Sequence, residues 1–301
     1  MRFINPKTDY AFKKIFGSEQ SHDILISFLN AILYDGENAI AKIEILNPYL
    51  PPKIRGVKDT YLDIKATLDN RSTVIIEMQV LNIEGFEKRI LYNAAKAYSI
   101  QLGQGQAYTL LDPVIALTIT DFEMFPELNQ LISRFILKEK DFLIDYPIYD
   151  IELVFVELPK FQTQLADLAT LADKWLYFLK SARQLDLVPD SMNIVPEIRQ
   201  AFDIANEINL TREELEDMEK QEMFIHDQRG VMIKAHKQGL QEGRQEGLEQ
   251  GLQEGLEQGL EQGKIAAMLE MAGQLLAILD DAEISRITGL SLEQVSQMRH
   301  T

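Results

Sequence analysis

The sequence predicts an α/β sandwich followed by a helical C-terminal extension. Three observations support this fold class. Helical and strand-like patterns follow one another in the order αα-βββ-α-β-β over the first 160 residues, an order typical of an α/β sandwich. No convincing strand pattern follows Pro159, and glycine recurs at every fourth position near the C-terminus. With 301 residues, the chain is long enough for one domain of ordinary size and roughly a hundred residues of extension.

The elements of the first 160 residues are predicted from caps, turns and apolar periodicity. Thr8 or Asp9 can cap a first helix, and Ser21 a second one. Asp69 to Ser72 are turn-forming residues, so the strands on either side of them form a hairpin. The expected helices cover residues 8–16, 21–34 and 84–102, and the expected strands cover residues 41–50, 61–68, 73–80, 113–121 and 148–157.

The C-terminal half contains the clearest repeat of the sequence. Helices are predicted over residues 162–184 and 196–237, and the repeat follows, with glycine at positions 239, 243, 247, 251, 255, 259 and 263. On an α-helix these glycines form a stripe that drifts by about 40° per repeat. Each glycine costs about 1 kcal/mol relative to alanine. The stripe therefore favours either close approach of a second helix, which gives a homo-oligomer, or a frayed polar linker.

Four segments are expected from these patterns. The last one contains an apolar helix and then two short helices around Gly289, the second opened by a Ser291–Gln294 capping box. It resembles a small helix-turn-helix, although a helical hairpin that packs on itself or on a partner is favoured. The predicted segments are an α/β domain over residues 1–160, a helical extension over 161–237, the glycine repeat over 238–264 and the hairpin over 265–301.

Composition excludes several classes of site. The chain has no cysteine, which rules out disulfides, thiolate nucleophiles and cysteine-ligated metals. The four histidines are scattered, and no glycine-rich phosphate loop precedes a Lys-Ser or Lys-Thr pair. No stretch of about 18 apolar residues and no signal-peptide pattern is present. We therefore expect a cytoplasmic protein without a membrane segment.

Charge is distributed unevenly along the chain. The net charge is −17, yet residues 1–100 hold 13 Lys and Arg against 12 Asp and Glu, so the acidity belongs to the later residues. A nearly neutral N-terminal domain permits a local basic strip for DNA phosphates. The strip is expected to draw on Lys53, Arg55, Lys58, Lys65, Arg71, Lys88, Arg89 and Lys96.

Two carboxylates and an amide form the constellation that carries chemistry. Asp63 lies on one predicted strand, while Glu77 and Gln79 share a face of the next strand. A loop over residues 69–71 would place Asp63 opposite Glu77, whereas a two-residue loop would shift the pairing by one residue unless a bulge restored it. Burial of these groups among apolar residues costs several kcal/mol unless a charge or a metal compensates. Mg²⁺ is a suitable compensating ion because it prefers carboxylate and carbonyl oxygens.

The same residues resemble the PD-(D/E)XK nuclease superfamily and, within it, the recombination-promoting nuclease/putative transposase family (Rpn). The similarity lies in Asp9-x-x-Phe12-Lys13 leading into Phe16-Gly17, in Asp63, in Glu77-x-Gln79, and in Arg89 followed by Tyr92. It spans about residues 1–160 and implies a restriction-endonuclease-like core, a mixed sheet flanked by helices. In this sequence Gln79 stands where the superfamily has a lysine, which is the main departure from the pattern.

The resemblance implies a role for each matched residue. Asp63, Glu77 and the backbone carbonyl of Met78 would bind Mg²⁺ or another divalent cation, and Asp9 is either a third, water-mediated ligand or a helix cap. Gln79 would orient the attacking water, and Lys65, two residues after Asp63, would supply the missing positive charge. Arg89 and Lys88 would contact DNA phosphate, although an exposed helix arginine is an equal alternative for Arg89.

These roles imply a metal-dependent DNA endonuclease that hydrolyses phosphodiester bonds and promotes recombination. The competing hypothesis is a catalytically weak or inactive nuclease-fold module for binding and oligomerisation, which Gln79 and the acidic C-terminal half favour. A third interpretation is a salt-linked core without metal. It is less favoured because Lys65 is the only cation that the strands themselves offer on the Glu77 face.

Overall fold

A computed structural model describes residues 2–50 and 60–300 of the chain. The chain divides into two compact units, Met1–Arg229 and Gly230–Thr301. The first unit contains the sheet, and the second is helical. The predicted fold class, an α/β core with a helical C-terminal extension, is confirmed.

A six-stranded mixed sheet forms the centre of the first unit, with the strand order β1-β4-β5-β6-β8-β7. β5, β6 and β8 are parallel to one another, and the outer pairs are antiparallel. β2 and β3 pair separately as a short two-stranded ladder. The strands are β1 (Ile43–Leu46), β2 (Tyr49–Leu50), β3 (Thr60–Tyr61), β4 (Ile64–Leu68), β5 (Thr73–Gln79), β6 (Val114–Thr120), β7 (Ile132–Phe135) and β8 (Ile151–Glu157).

Helices cover both faces of this sheet. Most of the apolar core lies on one face, where aromatic residues of the first helices pack around Trp175, as in the Phe16–Trp175 contact at 5.7 Å. Ala94 and Ala97 of α3 pack against Ile75 on the other face. The helices are α1 (Asp9–Phe16), α2 (His22–Leu33), α3 (Phe86–Ser99), α4 (Leu171–Ser181), α5 (Asp190–Asn193), α6 (Pro196–Ala205), α7 (Arg212–Leu275), α8 (Asp281–Thr288) and α9 (Leu292–His300).

The β4–β5 hairpin fixes the register of the residues with chemical potential. Its loop covers residues 69–71, with Arg71 at φ 72° and a hydrogen bond from the Leu68 N–H to the Ser72 carbonyl. Ile64 pairs with Ile76 in the last step of the ladder. One residue further along each chain, Asp63 comes opposite Glu77, as expected for this loop length.

Several predicted strands differ from the observed ones. The expected strand over 41–50 is divided into β1 and β2, because Pro48 between them has no N–H for a ladder. The expected strand over 61–68 is interrupted at Leu62 and Asp63, where the Leu62 N–H bonds to the Pro48 carbonyl instead. β7 was not predicted, because its residues Ile-Ser-Arg-Phe form only four positions at the sheet edge.

The helical predictions also need correction. The expected helix over 162–184 is shorter, since α4 begins only after a capping box of Thr170 and Asp173. The expected helix over 196–237 is two helices, α6 and α7, separated by residues 206–211. Thr8, and not Asp9, caps α1, because the Thr8 hydroxyl accepts the Ala11 N–H. Asp9 is therefore free of the capping role.

The glycine repeat forms part of the continuous helix α7. Added Cβ atoms at Gly239 to Gly263 would meet no atom within 4 Å in the described chain. The leucines next to these glycines are exposed, from 58% for Leu260 to 75% for Leu248. Beyond the repeat, Ala272, Ile284, Leu290 and Val295 form a small core, and the Ser291–Gln294 capping box is present.

Among the described residues, no helix is both long and apolar enough to cross a membrane.

Candidate active site

Asp63 lies at the bend where the chain enters β4. Its Oδ2 atom accepts the Met78 backbone N–H at 2.8 Å, and its side chain is only 16% exposed. This bond forms because the chain leaves the strand conformation between β3 and β4, opposite Met78 of β5. The Met78 N–H therefore has no strand partner on that side. The carboxylate therefore takes the position that a ladder carbonyl would otherwise occupy.

The Met78 carbonyl points toward the same opening in the sheet. On a β-strand, the N–H and C=O groups of one residue project from the same edge. Since the Met78 N–H reaches Asp63, its carbonyl projects from the edge where β4 has ended. A carboxylate oxygen and a backbone carbonyl thus face one gap at the end of β4.

Glu77 is the second carboxylate at this position, on the face of β5 that α3 covers. Its Oε1 atom accepts the Asn93 amide at 2.5 Å, and its Oε2 atom lies 3.5 Å from the Arg89 guanidinium. The Glu77 side chain is 12% exposed. Helix α3 therefore provides both a neutral and a charged donor to a largely buried acid.

Burial makes both carboxylates reluctant to ionise. Burial raises the pKa of Asp63 to about 7, and the hydrogen bond from Met78 opposes that shift. Burial also raises the pKa of Glu77, and the charge of Arg89 opposes the shift. Two adjacent acids with this tendency indicate a site where added positive charge would be favourable.

Lys13 lies beside these carboxylates, and sequence analysis assigned it no role. Its Nζ atom is 3.3 Å from Asp63 Oδ1 and 2.7 Å from Asp9 Oδ1. Burial lowers the pKa of Lys13, but Asp9 and Asp63 raise it more, so the ammonium form is favoured. The signal was present in the sequence, because positions 9 and 13 lie on one face of a helix.

Asp9 contacts Asp63 as well as Lys13. A hydrogen bond between the two carboxyl groups contributes to the raised pKa of Asp63. Asp9 is the more exposed of the two, with 59% of its side chain accessible. The first helix thus brings one acid and one cation to the site.

Gln79 is fixed at both ends of its amide. Its Oε1 atom accepts a 2.6 Å hydrogen bond from Arg89, and its Nε2 atom donates to the Leu81 carbonyl at 2.8 Å. The guanidinium of Arg89 also lies over the Phe86 ring, 5.0 Å from its centroid. In this arrangement Gln79 positions Arg89 beside Glu77.

The remaining cations predicted from sequence lie in different settings. Lys65 is partly buried, which lowers its pKa, and within the described part of the chain it makes no hydrogen bond or ion pair with Asp63 or Glu77. Lys88 is exposed on α3. Arg71 pairs with Asp112 at 3.1 Å, and buried Lys96 donates to Thr60. The others, Lys53, Arg55 and Lys58, lie outside the described residues.

The cations that pair with the two acids come from helices. Lys13 is on α1 and Arg89 is on α3, whereas sequence analysis considered only the strand residue Lys65 as a partner for Glu77. The two helix cations could not be predicted in this way, because contacts between distant elements are not visible in strand periodicity. The site therefore consists of two carboxylates held between two cations.

The donor set fits a small hard cation. Asp63, Glu77 and the Met78 carbonyl are oxygen donors, and the two acids are desolvated. Over residues 2–50 and 60–300, no three or more His, Cys, Asp or Glu side chains are arranged as a metal-binding group. A cation here would therefore rely on two acids with backbone and water oxygens, which is how Mg²⁺ is usually held.

A mixed sheet that presents two acids at an interrupted strand is the arrangement expected of a PD-(D/E)XK nuclease. The family model for the PD-(D/E)XK nuclease family transposase matches residues 6–235. The chain belongs to this family, which confirms the resemblance. The match includes the whole sheet and the first turns of α7. Neither the curated proteins nor the solved structures contain a significant match.

Proposed function

We propose that the protein is a metal-dependent DNA endonuclease whose active site contains Asp63, Glu77 and the Met78 carbonyl. One observation carries the proposal. Two largely buried carboxylates, one at the bend before β4 and one on β5, meet beside an open stretch of β5 backbone, and burial disfavours the ionised form of both. Family membership supports a nuclease-like chemistry, and the geometry supports the metal.

The chain's own residues divide the work of phosphodiester hydrolysis. A bound Mg²⁺ would supply Lewis acidity and a more acidic water. Asp63, Glu77 and the Met78 carbonyl would hold it, and the Met78 N–H keeps the Asp63 carboxylate turned toward the gap. Asn93 orients the Glu77 carboxylate by its short hydrogen bond. Asp9 would act through water, because it reaches Asp63 but is mainly exposed.

Arg89 and Lys88 are proposed contacts for the DNA backbone. Arg89 is 40% exposed, so it can face a phosphate while Gln79 and Glu77 hold its other side. Exposed Lys88 precedes it on α3. This arrangement also changes the role we propose for Gln79, from orienting a water molecule to positioning Arg89. Lys65 remains a candidate cation on the same sheet face.

Cleavage of supercoiled plasmid by the full chain tests the proposal. Wild type with Mg²⁺ is compared with wild type in EDTA and with Glu77→Gln, which removes the charge and keeps the shape. We expect nicked or linear DNA only with wild type and Mg²⁺, and a loss of about 100-fold or more in the variant. Circular dichroism and thermal unfolding check that the variant is folded.

Absence of wild-type cleavage with Mg²⁺ or Mn²⁺, or cleavage that survives in Glu77→Gln, would contradict the nuclease proposal. The alternative is then a nuclease-fold module for binding and oligomerisation. Specific features favour a self-association role for α7. The repeat glycines, at positions 239 to 263, have no described atom within 4 Å of an added Cβ, and Leu240, Leu248, Leu252, Leu256 and Leu260 are exposed along the same helix.

We propose that the glycine repeat pairs with the same helix of a second copy, in addition to any catalysis. Small residues let two helix backbones approach closely, and the neighbouring leucines would lose exposed apolar surface. Sedimentation velocity of the full chain and of Leu252→Glu tests this. We expect an oligomer that dissociates in the variant, and a monomeric wild type would contradict the proposal.

The biological setting proposed here follows from the family and the chemistry. DNA breaks made by such an enzyme would promote recombination, while no described residue indicates strand transfer. The cytoplasmic location expected from the sequence stays a prediction.

A further inference from the structure

We infer that Lys13 of α1 is a catalytic residue that supplies the positive charge beside the reacting phosphate. Gln79 occupies the strand position where the superfamily has a lysine, and its neutral amide cannot supply that charge. This inference rests on the nuclease function proposed above. It concerns a residue on the opposite side of the sheet from α3. Its support comes from the position of the ammonium group, the packing of α1 against the sheet and the less suitable placement of the other candidates.

Lys13 lies between Asp63 and Asp9 at the edge of the site. Its ammonium group is 3.3 Å from Asp63 Oδ1, and its charge acts on Glu77 as well. Arg89, in contrast, lowers the pKa of Glu77 through its charge and donates a hydrogen bond to Gln79. Lys13 is also 40% exposed, so part of its side chain faces the solvent from which a substrate enters. A cation between two carboxylates and solvent is placed to meet a phosphate.

The helix that carries Lys13 is held firmly against the sheet. Phe12 and Phe16, on the adjacent face of α1, are fully buried, with ring centroids 4.9 Å apart. Gly17 ends the helix, and a Cβ atom there would lie 3.0 Å from the Lys13 carbonyl and 3.2 Å from the Ile64 side chain. A side chain here would force its neighbours to shift by a few tenths of an ångström, so glycine favours this close approach of α1 to β4. The position of Lys13 relative to Asp63 is therefore set by packing.

The other candidates are less suited to the role. The Gln79 amide has a partner at both ends, and it carries no charge. Lys65 pairs in the ladder opposite Ile75, and neither acid is within ion-pair distance of it in the described part of the chain. Arg89 is held by Gln79 and by its contact with Phe86. Among the described residues, Lys13 is the lysine that the fold brings to Asp63.

The role of Lys13 is electrostatic. Negative charge increases on the phosphoryl oxygens during in-line displacement, and a fixed ammonium group stabilises that charge. In the free enzyme, the same ammonium group competes with a metal ion for the Asp63 carboxylate. Removal of the Lys13 charge should therefore slow cleavage without weakening the binding of Mg²⁺. A residue that only supported the fold would affect both quantities in the same direction.

The test measures cleavage and metal binding separately in the full chain. Lys13→Met removes the charge and keeps the length, Lys13→Arg keeps the charge, and Lys42→Met is the control at an exposed lysine before β1. Single-turnover plasmid cleavage gives the rate, and a thermal-shift titration with Mg²⁺ alone gives the binding midpoint. We expect Lys13→Met to cleave about 100-fold more slowly than wild type. Its Mg²⁺ midpoint should be equal or lower.

Recovery in Lys13→Arg to within about tenfold of wild type would support the charge role. If Lys13→Met does not fold, Lys13→Gln provides the neutral side chain. The inference is overturned if the neutral variant cleaves within about threefold of wild type, if it loses Mg²⁺ binding together with cleavage, or if Lys65→Met loses cleavage instead. Failure of the nuclease proposal is recognised separately, because wild type itself would then not cleave.

Discussion

The two faces of strand β5 differ in chemistry although they belong to the same seven residues. Val74, Ile76 and Met78 pack into the main core and are at most 7% exposed. On the other face, Ile75 is apolar, but the next two positions are Glu77 and Gln79. Glu77 is nearly as buried as its apolar neighbours, with 12% of its side chain exposed. Burial is similar on the two faces, whereas polarity is not.

This difference separates what stabilises the fold from what serves the site. Burial of Ile76 lowers the free energy of the folded state. Burial of a carboxylate raises that free energy unless partners offset the loss of hydration, and the raised pKa values of Glu77 and Asp63 indicate that the partners do so only in part. Functional sites commonly have this property. The two faces should therefore respond in opposite directions to substitution.

The largest effect is expected on the apolar face. Ile76→Ala removes a fully buried side chain from the core and should lower the free energy of unfolding by about 2–5 kcal/mol, since a cavity remains. Urea unfolding followed by circular dichroism measures the change. Ile194→Ala is the control, because Ile194 is 74% exposed and its loss should change stability by less than about 0.5 kcal/mol. A loss below about 1 kcal/mol in Ile76→Ala would contradict this account of the face.

Asp63→Asn should act in the opposite direction. Burial in the folded state raises the pKa of Asp63 from 3.8 to about 7, so the folded protein binds a proton at Asp63 more tightly than the unfolded chain does. The resulting destabilisation is absent below the unfolded pKa, increases between the two pKa values and is complete above about pH 7. We expect the variant to be more stable than wild type by about 0.5–2 kcal/mol at high pH.

Urea unfolding of wild type and Asp63→Asn at about pH 4 and about pH 8, both in EDTA, measures this difference. The amide keeps an oxygen for the Met78 N–H, so the comparison concerns the charge. A gain that does not depend on pH, or a loss of stability at the higher pH, would contradict the account. A loss would mean that Lys13 and the Met78 N–H fully compensate the carboxylate, and a gain independent of pH would mean that the carboxylate charge is not its cause.

Local patterns predicted most of the fold and the two acids. Apolar periodicity located the strand that contains Glu77 and Gln79, and one of the two loop lengths considered, residues 69–71, has the register that brings Asp63 opposite Glu77. These features depend on neighbours in sequence, which is why periodicity detects them. The break at Asp63 was missed, because it arises from the hydrogen bond between Leu62 and Pro48, fourteen residues away in the chain.

The electrostatic environment of the site could not be predicted in the same way. Lys13 reaches Asp63 across 50 residues only because Phe12, Phe16 and Gly17 pack α1 against β4. Arg89 reaches Glu77 because α3 returns over the sheet, and the strand pattern contains no trace of it. The proximity of the two acids could therefore be predicted from the strands, whereas the two helix cations beside them could not. Side chains brought together by packing require the tertiary structure.

The smallest expected effect is the stabilisation of the fold by Mg²⁺, which should depend on the polar face of β5 and not on its apolar face. Mg²⁺ at about tenfold its Kd should stabilise the wild-type fold by about 1.4 kcal/mol, because a ligand that binds only the folded state shifts the equilibrium. The Tm should rise by roughly 3–5 °C for a unit of this size. Glu77→Gln should lose this rise, since it removes one proposed ligand charge.

Ile76→Val is the matched control on the opposite face of β5. It should lower stability by about 0.5–1.5 kcal/mol and keep the full response to Mg²⁺, because Ile76 points away from the acids. Thermal unfolding with and without Mg²⁺ measures all three proteins. An equal Mg²⁺ response in Glu77→Gln and Ile76→Val would mean that Glu77 does not bind the cation, and the polarity of its face would then need another cause. A response lost only in Glu77→Gln would connect the cost of burying that acid directly to metal binding.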